Sequence, residues 1–132
     1  MQLISHVALF AGCSKKELAY VASLADEIDV PEGKTIIREG DVGHEFFVVA
    51  AGNLRVSRDG RKLRDLGPGD WAGEIALLSD VPRTATVVTT SPSRLLVLTD
   101  RHFKQLVESS PSIAVKVLRT LGERLHDLKR LT

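Results

Sequence analysis

Residues 73–87 read GEIALLSDVPRTATV, an acidic residue at the start of a short apolar turn and an arginine nine positions later. A carboxylate accepts hydrogen bonds from vicinal hydroxyls and repels phosphate, whereas a guanidinium presents a planar fork of donors that fits two phosphate oxygens at once. Glu74 and Arg83 therefore suit opposite ends of one small sugar phosphate. Gly73 permits close backbone approach, and a short helix over Glu74-Ile75-Ala76-Leu77-Leu78 would turn free N–H groups and a positive dipole end outward. Taken singly, Glu74 reads as a helix N-terminal carboxylate and Arg83 as a solvated residue after a turn proline. The ordered combination is what carries specificity.

That stretch resembles the phosphate-binding cassette of cyclic nucleotide-binding domains, whose usual form is F-G-E-[LI]-A-L-L, a short loop, then P-R-[STA]-A-[TS]-V. The resemblance extends over nearly the whole chain. LISHVALFAGCSKKELAYVASL (3–24) is similar to the family's helical lead-in, and PEGKTIIREGDVGHEFFVVAAGNLRVS (31–57) to its glycine-punctuated strands. Two departures stand out: Ala72 replaces the aromatic that usually precedes the cassette glycine, with Trp71 one place earlier, and His44 sits where an acidic residue is common.

Working outward, Ser14-Lys15-Lys16-Glu17 is a capping-box pattern, and Leu18, Val21, Ala22 and Ala25 then recur at helical spacing, predicting an amphipathic helix over about 14–26. Short β-rich runs follow at Thr35–Ile37, Phe46–Ala50, Leu54–Ser57, Lys62–Leu66, Thr86–Thr89 and Arg94–Leu98, divided by turn sequences of which Asp59-Gly60 is the strongest hairpin signal. Such a series argues for a closed barrel or a jelly roll, and the family resemblance selects the jelly roll. Thr99 or Asp100 can cap a helix through about Glu108, and Ser110-Pro111 starts another, with proline at its first position. Leu118, Leu121, Leu125 and Leu128 form a continuous stripe along this last helix, with a lid over the bound base, a dimer seam and plain packing as its possible roles. The expected fold is α+β, mainly β: an eight-stranded jelly-roll barrel with an N-terminal helix, a short cassette helix and two C-terminal helices. One domain should span 1–132, with a helical lead-in over 1–26, the jelly roll over 27–99, the cassette at 73–87 and the C-terminal helices over 100–131.

The bulk properties narrow the function. The chain has 132 residues, 43% of them hydrophobic, and 18 Lys plus Arg against 17 Asp plus Glu. A net charge of +1 provides no general attraction to nucleic acid or acidic membrane, so anion affinity must be local. The lone cysteine, Cys13, reads as a packing residue and agrees with a reducing cytoplasm; no leader pattern or bilayer-length apolar run is evident. The histidines at 6, 44, 102 and 126 are isolated, without metal-ligand spacing, and nucleophile-elbow and P-loop sequences are lacking. No metal and no catalysis are expected. With no room for a helix-turn-helix after the last helix, nucleic-acid binding by this chain alone is disfavoured.

The resemblance implies a regulatory sensor for cyclic AMP, with cyclic GMP also admitted because the Thr84 hydroxyl can meet the guanine 2-amino group. It implies ligand contacts from Gly73, Glu74, Ile75, Ala76, Arg83, Thr84, Ala85 and Val87, in which Arg83 pairs the exocyclic phosphate oxygens and Glu74 accepts the ribose 2′-hydroxyl. Leu125 and Leu128 are the lid candidates. Partners would be an effector outside this chain and a second copy joined through the C-terminal helix. A non-binding scaffold of the same fold, a purely dimerising piece and a jelly-roll metalloenzyme remain as alternatives.

Overall fold

The first turn of the N-terminal helix is closed by reciprocal bonds between two side chains and two backbone amides. In this computed structural model, which describes residues 13–73 and 81–130 but not the side chains of 120, 121 and 124–130, helix α1 spans Lys15–Leu24. The Ser14 hydroxyl accepts from the Glu17 N–H at 3.1 Å, and the Glu17 carboxylate accepts from the Ser14 N–H at 3.0 Å. The helix ends two residues earlier than its periodicity predicts, because Asp26 already pairs with Val97 as the start of a strand.

Eight strands follow among the described residues: β1 (Asp26–Val30), β2 (Thr35–Ile37), β3 (Glu45–Ala51), β4 (Leu54–Arg58), β5 (Arg61–Leu66), β6 (Trp71–Ala72), β7 (Thr86–Thr89) and β8 (Ser93–Thr99). They form two antiparallel four-stranded sheets, ordered β1-β8-β3-β6 and β2-β7-β4-β5. This is the expected jelly roll, as two facing sheets and not a hydrogen-bonded closed barrel. The sequence runs lacked β1 and β6. Four of the five β1 side chains are exposed, so it has no apolar alternation to detect, and β6 is only two residues long. Asp59 and Gly60 both have positive φ, 53° and 78°, as a two-residue type I′ hairpin turn requires.

Strands β3 and β8 are buried on both faces, which is why their sequences read as unbroken apolar runs. Phe47, Val49, Leu95 and Val97 point between the sheets, where they meet Ile37, Leu54, Val56, Leu66 and Val87. Phe46, Val48, Leu96 and Leu98 point the other way, into a second cluster with Val21, Phe103, Leu106, Ile113 and Val117 from the helices. The Phe46 and Phe103 rings stack at 4.3 Å between centroids.

Thr99 caps α2 (Asp100–Ser109) by accepting from the His102 N–H, and α3 (Pro111–Arg130) begins with proline as expected. The buried side of the first two turns of α3 is Ile113 and Val117. Leu118, the first residue of the leucine stripe, is 65% exposed, beside Val115 at 51%. The stripe therefore begins on the solvent side of α3, and the side chains of Leu121, Leu125 and Leu128 lie outside the described residues. Between the two helices Ser110 is buried, and its hydroxyl donates at 2.6 Å to the Glu17 carboxylate instead of capping its own helix. Cys13 packs against the same cluster, with Sγ 3.7 Å from the Ser112 hydroxyl.

The Ser110 hydroxyl, followed by the Ser14 amide, holds the Glu17 carboxyl below its ordinary value of 4.5. A depressed folded-state pKa stabilises above the ordinary value and is lost as pH falls through the folded one. Urea unfolding of wild type and Glu17→Gln should therefore differ at neutral pH and converge progressively below pH 4.5; a difference independent of pH would remove the charge from this link.

Candidate functional site

Arg83 enters the protein along a short backbone pairing. Its N–H donates to the Asp41 carbonyl at 2.8 Å, and its own carbonyl accepts from the Gly40 N–H at 2.9 Å. The loop between β2 and β3 is thereby clamped to the segment leading into β7. The arginine is 7% exposed overall, and its guanidinium donates from Nη1 to the Gly73 carbonyl at 3.1 Å and from Nη2 to the Glu45 carbonyl at 2.6 Å. Carbonyl acceptors at the start of β3 and just after β6 fix the plane of the fork, which a point charge such as lysine could not achieve.

Two glycines make the space. A Cβ on Gly43 would lie 1.7 Å from Nε of Arg83, and one on Gly73 would lie 2.9 Å from Nη1 and 2.8 Å from the Glu45 carbonyl oxygen. Gly73 also has φ of +103°, a conformation that L side chains rarely adopt. The cassette glycine thus has both steric and conformational reasons to be glycine.

Downstream, Thr84 and Ala85 are half-buried, and Ala85 packs against the inter-sheet cluster that contains Val87, itself 2% exposed. The Thr86 hydroxyl accepts from the Glu39 N–H at 3.0 Å, a second tie between the loop after β2 and β7. Of the sequence-derived site residues, the structure brings Gly73 and Arg83 into contact and sets Thr84, Ala85 and Val87 on the path from the guanidinium into the sandwich. Glu74, Ile75 and Ala76, with the expected cassette helix, lie outside the described residues, as do the side chains of Leu125 and Leu128.

Gly43, Asp41 and Glu45 belong to the site and are absent from the sequence-derived set. Asp41 and Glu45 act through main-chain carbonyls, which any residue type supplies, so no side-chain pattern marks them. Gly43 leaves a trace as one of the closely spaced glycines in Gly40-Asp41-Val42-Gly43, although a turn alone would explain it. His44, the departure noted above, has a largely exposed side chain whose Nδ1 is 3.3 Å from the Asp100 carboxylate. Its carbonyl accepts from the Asp100 N–H at 2.6 Å. The consecutive carbonyls of His44 and Glu45 therefore join the start of α2 to the buried guanidinium. The Arg101 amide, then the His44 ring, lowers the Asp100 carboxyl from its ordinary value.

Among the described residues no group of three or more His, Cys, Asp or Glu side chains is placed to hold a metal ion, and no helix is long and apolar enough to cross a membrane.

A family model for the cyclic nucleotide-binding domain matches residues 27–110, and the chain belongs to that family. It is 26% identical over 130 residues to a CRP-like cAMP-activated global transcriptional regulator of Mycobacterium tuberculosis, covering 95% of this chain and 58% of the relative. It is 35% identical over 123 residues to a cyclic nucleotide-gated potassium channel of Rhizobium etli, covering 93% of this chain and 34% of the channel. A cAMP-bound PfPKA-R structure superposes with a TM-score of 0.91 at 29% identity, over 98% of this chain and 45% of that one. The chain thus spans between about a third and three fifths of these proteins. The family is a regulatory, ligand-binding one.

Gly43 has an ordinary backbone conformation, and the three atoms nearest to a Cβ added there all belong to the Arg83 guanidinium. In Gly43→Ala the arginine should swing away while the sheets stay intact. Thermal unfolding is expected to change little, while calorimetry shows cyclic nucleotide affinity reduced tenfold or more, about 1.4 kcal/mol. Unaltered affinity would show that the observed Arg83 position is not the binding one.

Proposed function

We propose that the chain senses a cyclic purine nucleotide, cyclic AMP before cyclic GMP, and conveys its occupancy to α2 and α3. One observation carries this reading: a nearly buried guanidinium, oriented by two carbonyls over two glycines, two residues before Ala85, which packs on the apolar cluster between the sheets. Such a fork suits the two exocyclic oxygens of a cyclic phosphate, and the apolar wall beyond it suits a base. In this reading Arg83 pairs the phosphate, and amides of Ala76 and Thr84 complete the cradle. Glu74 accepts the ribose 2′-hydroxyl, Gly73 leaves room for the ring, and Ile75, Ala85 and Val87 supply apolar contact. Cyclic AMP is favoured because an apolar surround leaves fewer polar groups of adenine unmet, and it is the ligand named for the superposed PfPKA-R structure.

The chemistry is recognition, not catalysis. A phosphate that takes donors from Arg83 competes with the Glu45 carbonyl, and the neighbouring His44 carbonyl holds the first amide of α2. The ligand can shift α2 and α3 only through such differential contact. The effector lies outside this chain. A second reading, self-association through α3, is favoured by the exposure of Val115 and Leu118 on one side of it.

Titration calorimetry tests the site. Arg83→Ala should lose about 2–5 kcal/mol, roughly 30- to 4000-fold, and Arg83→Lys should also bind poorly. Glu74→Gln should lose about 1–3 kcal/mol against cyclic AMP and almost nothing against its 2′-deoxy analogue. Undiminished binding by folded Arg83→Ala would refute the assignment. Hydrogen exchange checks transmission: cyclic AMP should slow exchange over 73–86 and alter it over 111–131, and an effect confined to the first range would mean that α3 is static packing.

A further inference from the structure

The ladder between β2 and β7 stops short, and a side-chain tie takes its place. Ile37 pairs with Val87, so an uninterrupted antiparallel ladder would next set Arg38 against Thr86. The chain leaves the sheet there instead. Thr86 pairs with Ser57 of β4, and its hydroxyl accepts the Glu39 N–H at 3.0 Å. The next two residues make the backbone pairing with Arg83: the Gly40 N–H donates to the Arg83 carbonyl at 2.9 Å, and the Asp41 carbonyl accepts the Arg83 N–H at 2.8 Å. Residues 39–41 thus clamp the segment 83–86 from beyond the end of the β2–β7 ladder.

The β4–β5 hairpin reaches the same place. Ser57 lies opposite Thr86, the first residue of β7, and the hairpin runs on to the Arg58–Arg61 pair that closes its turn, so Asp59 overhangs the start of β7. In a two-residue turn with positive φ at both central positions, the first central amide lies outside the ladder and must be satisfied elsewhere. Here it donates to Oε1 of Glu39 at 3.1 Å. Glu39 is half-buried between exposed Arg38 and Gly40, as befits a side chain laid against the hairpin and not extended into water. The residue is held at both ends, its amide by β7 and its carboxylate by the hairpin tip.

We propose that Glu39 is a positioning residue for Arg83: its carboxylate, fixed on the Asp59 amide, holds the Gly40–Asp41 pairing and with it the arginine whose fork receives the phosphate. The effect on ligand rests on the cyclic nucleotide reading above. Gly40 has a φ of +88°, so the clamp carries the most freely rotating residue type immediately after Glu39. A glycine pivot keeps its place only when the residue before it is fixed. The sign of the effect separates positioning from simple electrostatics. A carboxylate beside the clamp repels a bound phosphate, so an action through charge alone would make its removal tighten binding. An action through the clamp makes removal of the acceptor weaken it.

The experiment compares wild type with Glu39→Gln, which keeps an acceptor without the charge, and Glu39→Ala, which keeps neither. Hydrogen exchange on the ligand-free protein reads the clamp directly. In Glu39→Ala the Gly40 and Arg83 amides should exchange about 3- to 10-fold faster, with the paired amides of β3 and β8 as protected as in wild type. Calorimetry should show cyclic AMP binding to the alanine variant weakened by about the same 3- to 10-fold. Glu39→Gln should stay within about twofold of wild type in both measurements. Faster exchange at Asp59 alone, with the Gly40 and Arg83 amides unchanged, would show that the carboxylate only caps the hairpin and would overturn the proposal. Tighter cyclic AMP binding by both variants, failure of glutamine to restore what alanine loses, or exchange raised throughout β3 and β8 would overturn it as well. Wild type that bound no cyclic nucleotide would sink the functional reading instead, and the exchange at Gly40 and Arg83 would still decide whether Glu39 holds the arginine.

Discussion

A guanidinium cannot be removed from water unless its donors are answered where it comes to rest, and that requirement organises the molecule around Arg83. Its acceptors are backbone carbonyls, which hold position only if the strands and turns that carry them are rigid. Glu45 is the first residue of β3, and Gly73 directly follows β6, the strand paired to β3 through Phe47–Ala72 and Val48–Trp71. One acceptor is in that sheet and the other directly follows it, while the arginine leads into β7 of the other sheet. The site straddles the two layers, and the contacts that orient the guanidinium also join them.

The same sheet carries the helices on its other face. Phe46 and Phe47 are adjacent, yet Phe46 stacks on Phe103 of α2 while Phe47 packs in the apolar cluster between the sheets. A close-packed strand cannot shift on one face without disturbing the other. Proximity between the inter-sheet cluster and the helices is thus built from strand alternation, with β3 and β8 as the shared wall.

How much of this could be read from residues alone depended on whether side chains or backbone did the work. The capping box at Ser14 and Glu17, the Asp59-Gly60 hairpin and the break at Pro111 were legible because each is a local pattern with one physical meaning. Strand β1 was not, since its outward side chains follow no period and its existence depends on β8. Arg83 was legible through its cassette, whereas the carbonyls of Asp41 and Glu45 carry no sequence signature. Glu39 shows a subtler limit: in Arg38-Glu39-Gly40-Asp41 the charges look uniformly solvated, and only the hairpin amide at its carboxylate separates Glu39 from its neighbours. The leucine stripe marked a helix correctly, but its first member is exposed because Ile113 and Val117 take the packed side.

Departure from the family pattern at His44 bears on how occupancy could be transmitted. The Arg83 fork here rests on main-chain oxygens, and the residue at position 44 instead meets the start of α2 through both its carbonyl and its ring. Ten residues later the chain passes through Ser110, whose φ of −128° and ψ of 98° interrupt the helical path, and Pro111 lacks the N–H that would bridge the break. The α2–α3 junction is therefore one extended residue, buried and tied through its hydroxyl to Glu17 of α1. With a rise of 1.5 Å per residue, α3 is about 30 Å long, so a rotation of about 20° at Ser110 carries its far end roughly 10 Å. Under the proposed reading such a rotation would have to carry or break the packing of Ile113 and Val117, which are buried against the helical cluster, as well as the Ser110–Glu17 bond.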